Sequence, residues 1–287
     1  MPAEPRSNTP ATFVLGGLTF NTGAPDAFGV RWFASIVDGA DSAEQDLEVE
    51  RRTGAHGVYF AGGWYGRRPL LLEGQVVAEN LDAMKAARSR LMAAADLLRA
   101  LGVLEVNDPG VPWRAEVYRA DRPRFEIESG YYATFALPLA SPDHRRYSLA
   151  ERVASTNLSS ISTGVSADVV ADVSAGGGTS SQLLAVNAGN TEAPVRLELA
   201  GPLTNPTVTH DESGSVIRFA LTLNAGDVLV VEPERRTVTL GGVTRRGSVV
   251  GRPGWFGLRP GTNTLRLSAA STNPAATLTA RWRDAHT

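Results

Sequence analysis

Apolar residues recur at every second position in many short segments of this chain, and one long stretch follows a different period. Val195, Leu197 and Leu199 alternate with Arg196 and Glu198, and Ile217, Phe219, Leu221 and Leu223 alternate with Arg218, Ala220 and Thr222. A period of two turns one face of an extended strand toward a core and leaves the other in water. Val228–Glu232 and Thr237–Leu240 flank the turn Pro233-Glu234-Arg235-Arg236 and read as a hairpin, while Leu265 with Leu267, and Leu278, Ala280 and Trp282, supply two more strands. Short strands at regular spacing with turn signals between them predict a β-sandwich for the second half.

The exception begins at Asn80. Leu81, Met84, Leu91, Ala95, Leu98 and Leu101 recur at spacings of three, four or seven, which places them on one face of a helix. Asn80 suits an N-cap, Asp82 the first turn, and Gly102 the stop. Around this one long helix the first half reads as strands: Thr12–Asn21, Val30–Val37 and Arg67–Ala78, the last with Leu70, Leu72 and Val76 pointing inward. Leu104–Val106 and Trp113–Arg119 read as a hairpin about Asn107-Asp108-Pro109-Gly110. Tyr131, Ala133, Phe135, Leu137 and Leu139 alternate with polar or small residues, and Pro138 predicts that this strand frays or lies at an edge near its end.

A length of 287 residues suggests about two domains. Ala154 to Gln182 is rich in Ser, Thr and Gly, with a possible strand at Val165–Val173, and the boundary is expected near residue 150. The expected division is therefore residues 1–150 and 151–287. With 28 basic and 30 acidic residues the net charge is −2, which argues against a dedicated DNA-binding or polybasic membrane surface. Lys85 is the only lysine, an imbalance best ascribed to a GC-rich coding genome. Met1–Phe20 lacks the pattern of a signal peptide, and no run approaches the roughly 20 apolar residues of a membrane helix. The expectation is a protein kept in a cytoplasm-like setting or exported as part of a particle.

Signatures of chemistry are sparse. There is no cysteine, so thiolate metal sites, disulfides and cysteine nucleophiles are excluded. His56, His144, His210 and His286 are far apart in sequence and are expected in loops or at the surface. No H-E-x-x-H, G-x-S-x-G, phosphate loop or dinucleotide fingerprint occurs, and Gly176-Gly177-Gly178 reads as linker. The acidic stretch from Asp38 to Asp46 fails the calcium-loop spacing and reads as a solvated loop. No catalytic, cofactor-binding or metal-binding residue is assigned, and the chain is not expected to be an enzyme.

Two features suggest association instead. Arginine pairs stand at Arg51-Arg52, Arg67-Arg68, Arg145-Arg146, Arg235-Arg236 and Arg245-Arg246, either solvated and salt-bridged or meeting carboxylates of a neighbouring subunit. The stretch from Gly54 to Gly66 interleaves glycine with aromatics. It reads either as an interface arm, with Tyr59, Phe60, Trp64, Tyr65, Arg67 and Arg68 as the contact residues, or as a strand turning into the core.

The second half also carries an ordered series of landmarks. These are Asn187 with Gly189, Pro194 to Gly201, Asn205-Pro206, Gly226 to Glu232, Arg236 to Gly242, and Trp255 to Leu265. With Gly74, Leu139 to Asp143, Arg145 and Tyr147 of the first half, this order resembles siphophage distal tail proteins. Where that family often has Asn-Gly this chain has Gly241-Gly242, which serves the same turn.

The resemblance implies a mainly β fold, with an N-terminal split-barrel-like domain bearing one long helix and a C-terminal galectin-like β-sandwich. It implies that residues 1–150 form a homohexameric ring and residues 151–287 hang outside it. It also implies partners in the tail tube protein and the tail-tip hub protein, a place in the virion after assembly in the host cytoplasm, DNA only in transit, and no membrane. The rival is a carbohydrate-binding sandwich for host adhesion, with Trp255 and Trp282 as sugar platforms. Both alternate with core-type neighbours, which favours burial.

Overall fold

The computed structural model describes residues 11–158, 180–270 and 273–287, so the expected strand at Val165–Val173 and the glycine run at 176–178 lie outside the described residues. The chain divides into two units, Met1–Leu149 with His286–Thr287, and Ala150–Ala285. Both are mainly β, and the described residues hold a single α-helix.

The first unit contains β1 (Thr12–Leu15), β2 (Leu18–Phe20), β3 (Arg31–Asp38), β4 (Gln45–Arg51), β5 (Val58–Tyr65), β6 (Arg68–Val77), α1 (Leu81–Ala94), β7 (Gly102–Asn107), β8 (Trp113–Arg119), β9 (Arg124–Ile127), β10 (Tyr132–Ser141) and β11 (Arg146–Tyr147). An antiparallel sheet runs β2-β1-β7-β8-β10-β6-β3, with β9 also paired to β10. Its inner face buries Phe13, Phe20, Trp32, Leu70, Leu72, Val76, Leu104, Phe135 and Leu137, together with Met84, Ala87 and Leu91 of α1.

The sheet does not close into a barrel, but one side chain spans the gap. Asn21, in the left-handed region at φ 63°, donates through Nδ2 to Ala11 O (2.7 Å) and Ala34 O (2.8 Å). Its Oδ1 accepts from Ala34 N at 2.9 Å, and its own N–H donates to Trp32 O at 2.8 Å. Asn tolerates this conformation, and its amide replaces the ladder that β2 and β3 do not form.

Four expectations for this unit are corrected. Thr12–Asn21 is a hairpin, because Gly16 and Gly17 both take positive φ and turn the chain. Helix α1 starts where expected, with Asn80 Oδ1 accepting from Ala83 N at 2.9 Å, but it ends at Ala95 and leaves Leu98 and Leu101 exposed. Gly102 is not its stop: it opens β7, and a Cβ there would lie 2.7 Å from Leu97. Strand β10 does not fray at Pro138, since it pairs with β6 through Ser141. Pro138 O accepts from Ala120 N on the side away from β6, where β9 gives way to β8, so the missing N–H falls between partners.

The second unit contains β12 (Arg152–Asn157), β13 (Ser180–Asn187), β14 (Val195–Ala200), β15 (Leu203–Thr204), β16 (Thr207–His210), β17 (Ser215–Arg218), β18 (Thr222–Leu223), β19 (Val228–Glu232), β20 (Thr237–Leu240), β21 (Val243–Thr244), β22 (Gly261–Ser268) and β23 (Thr277–Trp282), and the chain ends in β24 (Ala285–His286). Two sheets, β12-β23-β14-β19-β20-β21 and β13-β22-β16-β17, form the sandwich. The alternating residues fill it: Val195, Leu197, Leu199, Leu229, Val231, Leu265, Leu267, Leu278 and Ala280 are buried. Only the run from Ile217 to Leu223 is not one strand. It divides into β17 and β18 while keeping its alternation of burial.

Candidate functional site

Strands β4 and β5 pair only with each other. Their register runs from Gln45↔Tyr65 at the root to Arg51↔Val58 near the tip, where Gly54 and Gly57 take positive φ to reverse the chain. The root is fixed by backbone bonds, Glu44 N to Arg67 O (3.0 Å) and Gly66 N to Glu44 O (2.8 Å). Tyr65 stacks on His144 with ring centroids 4.8 Å apart.

A bulge decides what the arm shows to its surroundings. The register shifts at Glu48/Val49 and leaves Ala61 unpaired. At a strict period of two, Phe60 and Tyr65 would face opposite ways; the extra residue puts both on one face. That face carries Leu47, Val49, Val58, Phe60 and Tyr65. The other carries Asp46, Glu48 and Glu50, with Trp64 opposite Asp46 and Tyr59 opposite Glu50. Both faces are open, with Phe60 69% and Trp64 77% exposed. An isolated two-stranded hairpin is marginal in water, and a continuous exposed apolar strip marks a contact surface.

The structure thus brings Tyr59, Phe60, Trp64 and Tyr65 together on one exposed arm and excludes the core reading of that stretch. Arg67 sits at its root, half exposed, with Nε 3.1 Å from Glu44 Oε1. Arg68 is corrected: at 1% exposure it contributes nothing to a surface. Its Nε and Nη2 donate to His144 O (3.0 and 2.6 Å) and its Nη1 to Gly39 O (3.0 Å) and Ala40 O (3.3 Å). The guanidinium gathers three loop carbonyls beneath the arm. The sequence reading missed β4 altogether by taking its acidic start for a loop. The alternation Asp46-Leu47-Glu48-Val49-Glu50 was the available signal.

Elsewhere, polar groups are structural. His210 is not at the surface: it is fully buried, stacked on Phe256 at 4.8 Å, with Nδ1 2.7 Å from Ser213 Oγ and Nε2 2.9 Å from Asn263 Oδ1. Asn263 Nδ2 also donates to Arg259 O (2.8 Å) and Gly261 O (3.0 Å). Asn187 Nδ2 donates to Thr191 O (2.8 Å) and Leu258 O (3.0 Å). Gly189 lies so close to Ala285 that a Cβ would come within 1.8 Å of its carbonyl oxygen. These contacts explain why Asn187, Gly189 and Asn263 stand as landmarks.

Trp282 is buried and donates to Val186 O at 3.1 Å, so it offers no sugar platform. Trp255 is half-buried with the Arg246 guanidinium 6.0 Å from its ring centre. Among the described residues no group of three His, Asp or Glu is placed to hold a metal, and no helix is long and apolar enough to cross a membrane.

A family profile described as siphovirus-type tail component, C-terminal domain, matches residues 188–284. Among solved structures the fold is similar to the Dit protein of phage SPP1, described as a paradigm of the hub adsorption apparatus in phages infecting Gram-positive hosts. That likeness has a TM-score of 0.62 at 13% identity and covers 96% of this chain and 99% of that one. Chains of the phage P2 baseplate in its activated conformation, with calcium and with strontium, each give a TM-score of 0.50 at 10% identity, covering 95% of this chain and 98% of theirs. No curated protein matches the sequence. Residues 188–284 are therefore similar to the siphovirus-type tail component C-terminal domain, and the chain as a whole has a fold similar to that of the SPP1 Dit protein.

Proposed function

We propose that this chain is a structural, non-enzymatic subunit of the distal tail of a siphovirus-type phage. Six copies form a ring through the first unit, while the second unit hangs outside it. The ring joins the tail tube to the tail-tip hub and receptor-binding apparatus and leaves a channel through which DNA passes. It is a virion component, assembled in the host cytoplasm.

The observation that carries this reading is the arm. A chain that folded to act alone would not present Leu47, Val49, Val58 and Phe60 together to water. A closed ring needs a heterologous interface, one surface on each subunit fitting a different surface on the next. The arm supplies the first, centred on Phe60, Trp64, Tyr59 and Tyr65 and rimmed by Arg67. Aromatic anchors of this kind carry most of the energy of protein contacts. The buried fraction of Trp282 and the half-covered Trp255 give no support to sugar binding.

Light scattering at micromolar concentration tests the proposal. Six copies of 30.4 kDa give 6 × 30.4 ≈ 182 kDa. That mass is expected for the full chain, and a monomer expected for residues 151–287 alone. A full chain that stays monomeric or dimeric in the presence of its tail partners contradicts the proposal.

A further inference from the structure

The acidic face of the arm identifies the surface it meets. Asp46, Glu48 and Glu50 lie along one side of β4, and no ion-pair partner is placed against them among the described residues. Trp64 and Tyr59 stand opposite the first and last of them, with the chain's own Arg52 guanidinium 5.0 Å from the Tyr59 ring centre. Three carboxylates interleaved with two exposed aromatic rings form a surface suited to cations, by charge and by cation–π attraction.

The first unit offers a cationic face on its helix. On α1, Leu81, Lys85 and Arg88 follow at i, i+4 and i+7, on one exposed face opposite buried Met84, Ala87 and Leu91. Lys85 has only the exposed Asp82 at 3.7 Å, a contact worth little. Past the helix end, Arg99 stands between exposed Leu98 and Leu101.

We infer that the acidic and aromatic face of the arm lies against the exposed Lys85–Arg88 face of α1 in the neighbouring copy of this chain. The inference rests on the ring reading above and assigns the two surfaces that its heterologous interface requires. It gives the sole lysine of the chain a place in the contact. It also leaves the apolar face of the arm to be covered by the same neighbour or by the next tail component.

The absence of cysteine allows a direct test on the full-length chain. Variants Glu48→Cys, Arg88→Cys and the double variant are treated with a short bis-maleimide crosslinker after light scattering has established the mass of each. The double variant is expected to give a covalent ladder extending to six copies, and each single variant none. Separately, Asp46→Lys with Glu48→Lys and Glu50→Lys is expected to weaken assembly on the order of 100-fold. Adding Lys85→Glu and Arg88→Glu is expected to restore most of it.

A particle of ring mass whose double variant gives no ladder, and whose charge reversals are not rescued, overturns this inference and leaves the ring reading standing. Covalent dimers from a single variant also overturn it, since they require an isologous contact. Absence of the ring mass in the parent chain, with its tail partners present, overturns both.

Discussion

Glu44 and Arg67 face each other at the root of the arm, with Arg67 Nε 3.1 Å from Glu44 Oε1 and 3.3 Å from Oε2. The pair is half exposed, and exposed pairs contribute little. The backbone bonds from Glu44 N to Arg67 O and from Gly66 N to Glu44 O, and the buried Arg68 beside them, do more to set where the arm leaves the domain. Glu44→Gln should therefore change stability by less than about 1 kcal/mol. Arg68→Met, which strands the carbonyls of His144, Gly39 and Ala40, should cost about 3 kcal/mol. Urea unfolding of the two variants measures both, and equal effects would mean that the root is held as much by the ion pair.

A second prediction concerns acid. Burial raises the pKa of Asp26, but hydrogen bonds from Trp32 and Arg90 and from the backbone of Val30 and Phe28 outweigh it and hold the carboxyl at about 2 against an ordinary 3.8. A depressed carboxylate contributes stability that is fully present above pH 3.8 and is lost as pH falls through about 2. Asp26→Asn should cost on the order of 2 kcal/mol at neutral pH. The variant should then show a shallower loss than the parent between about pH 4 and 2. Parallel acid curves for the two proteins would contradict the assignment.

The helix and the sandwich show what could be read along the chain. Asn80 was legible as a cap because a cap is a local event, satisfied within three residues. The end of α1 was not, since Leu98 and Leu101 continue the helical spacing while the chain has already turned toward β7. Distance in sequence hid the rest. Asn21 completes the sheet edge through bonds to Ala11 and Ala34, and His210 is buried against Asn263, 53 residues away. Neither leaves a periodic trace. The aromatic half of the arm is visible by composition, but the acidic stretch ending at Asp46 hides the start of β4, and only the pairing with β5 sorts the two faces.

Gly74 provides a third prediction. A Cβ at this position of β6 would lie 1.9 Å from Phe33 O and 2.6 Å from Phe135 Cζ, so the absence of a side chain lets three strands pass at this point. Gly74→Ala should lower stability by about 3 kcal/mol or more. Thermal unfolding reads this directly, and an unchanged midpoint would show that β3 and Phe135 shift aside without cost.

The remaining prediction separates association from folding. Phe60 and Trp64 stand on opposite faces of the arm and are largely exposed, so replacing both with Ser should leave the unfolding midpoint of the isolated chain nearly unchanged. The decisive measurement is the mass in solution of the parent chain and of this Phe60→Ser, Trp64→Ser variant by light scattering at one concentration. The account predicts about 182 kDa (6 × 30.4 kDa) for the parent and 30.4 kDa for the variant. A variant that keeps the mass of the parent ring would show that the arm is not the surface that joins the subunits.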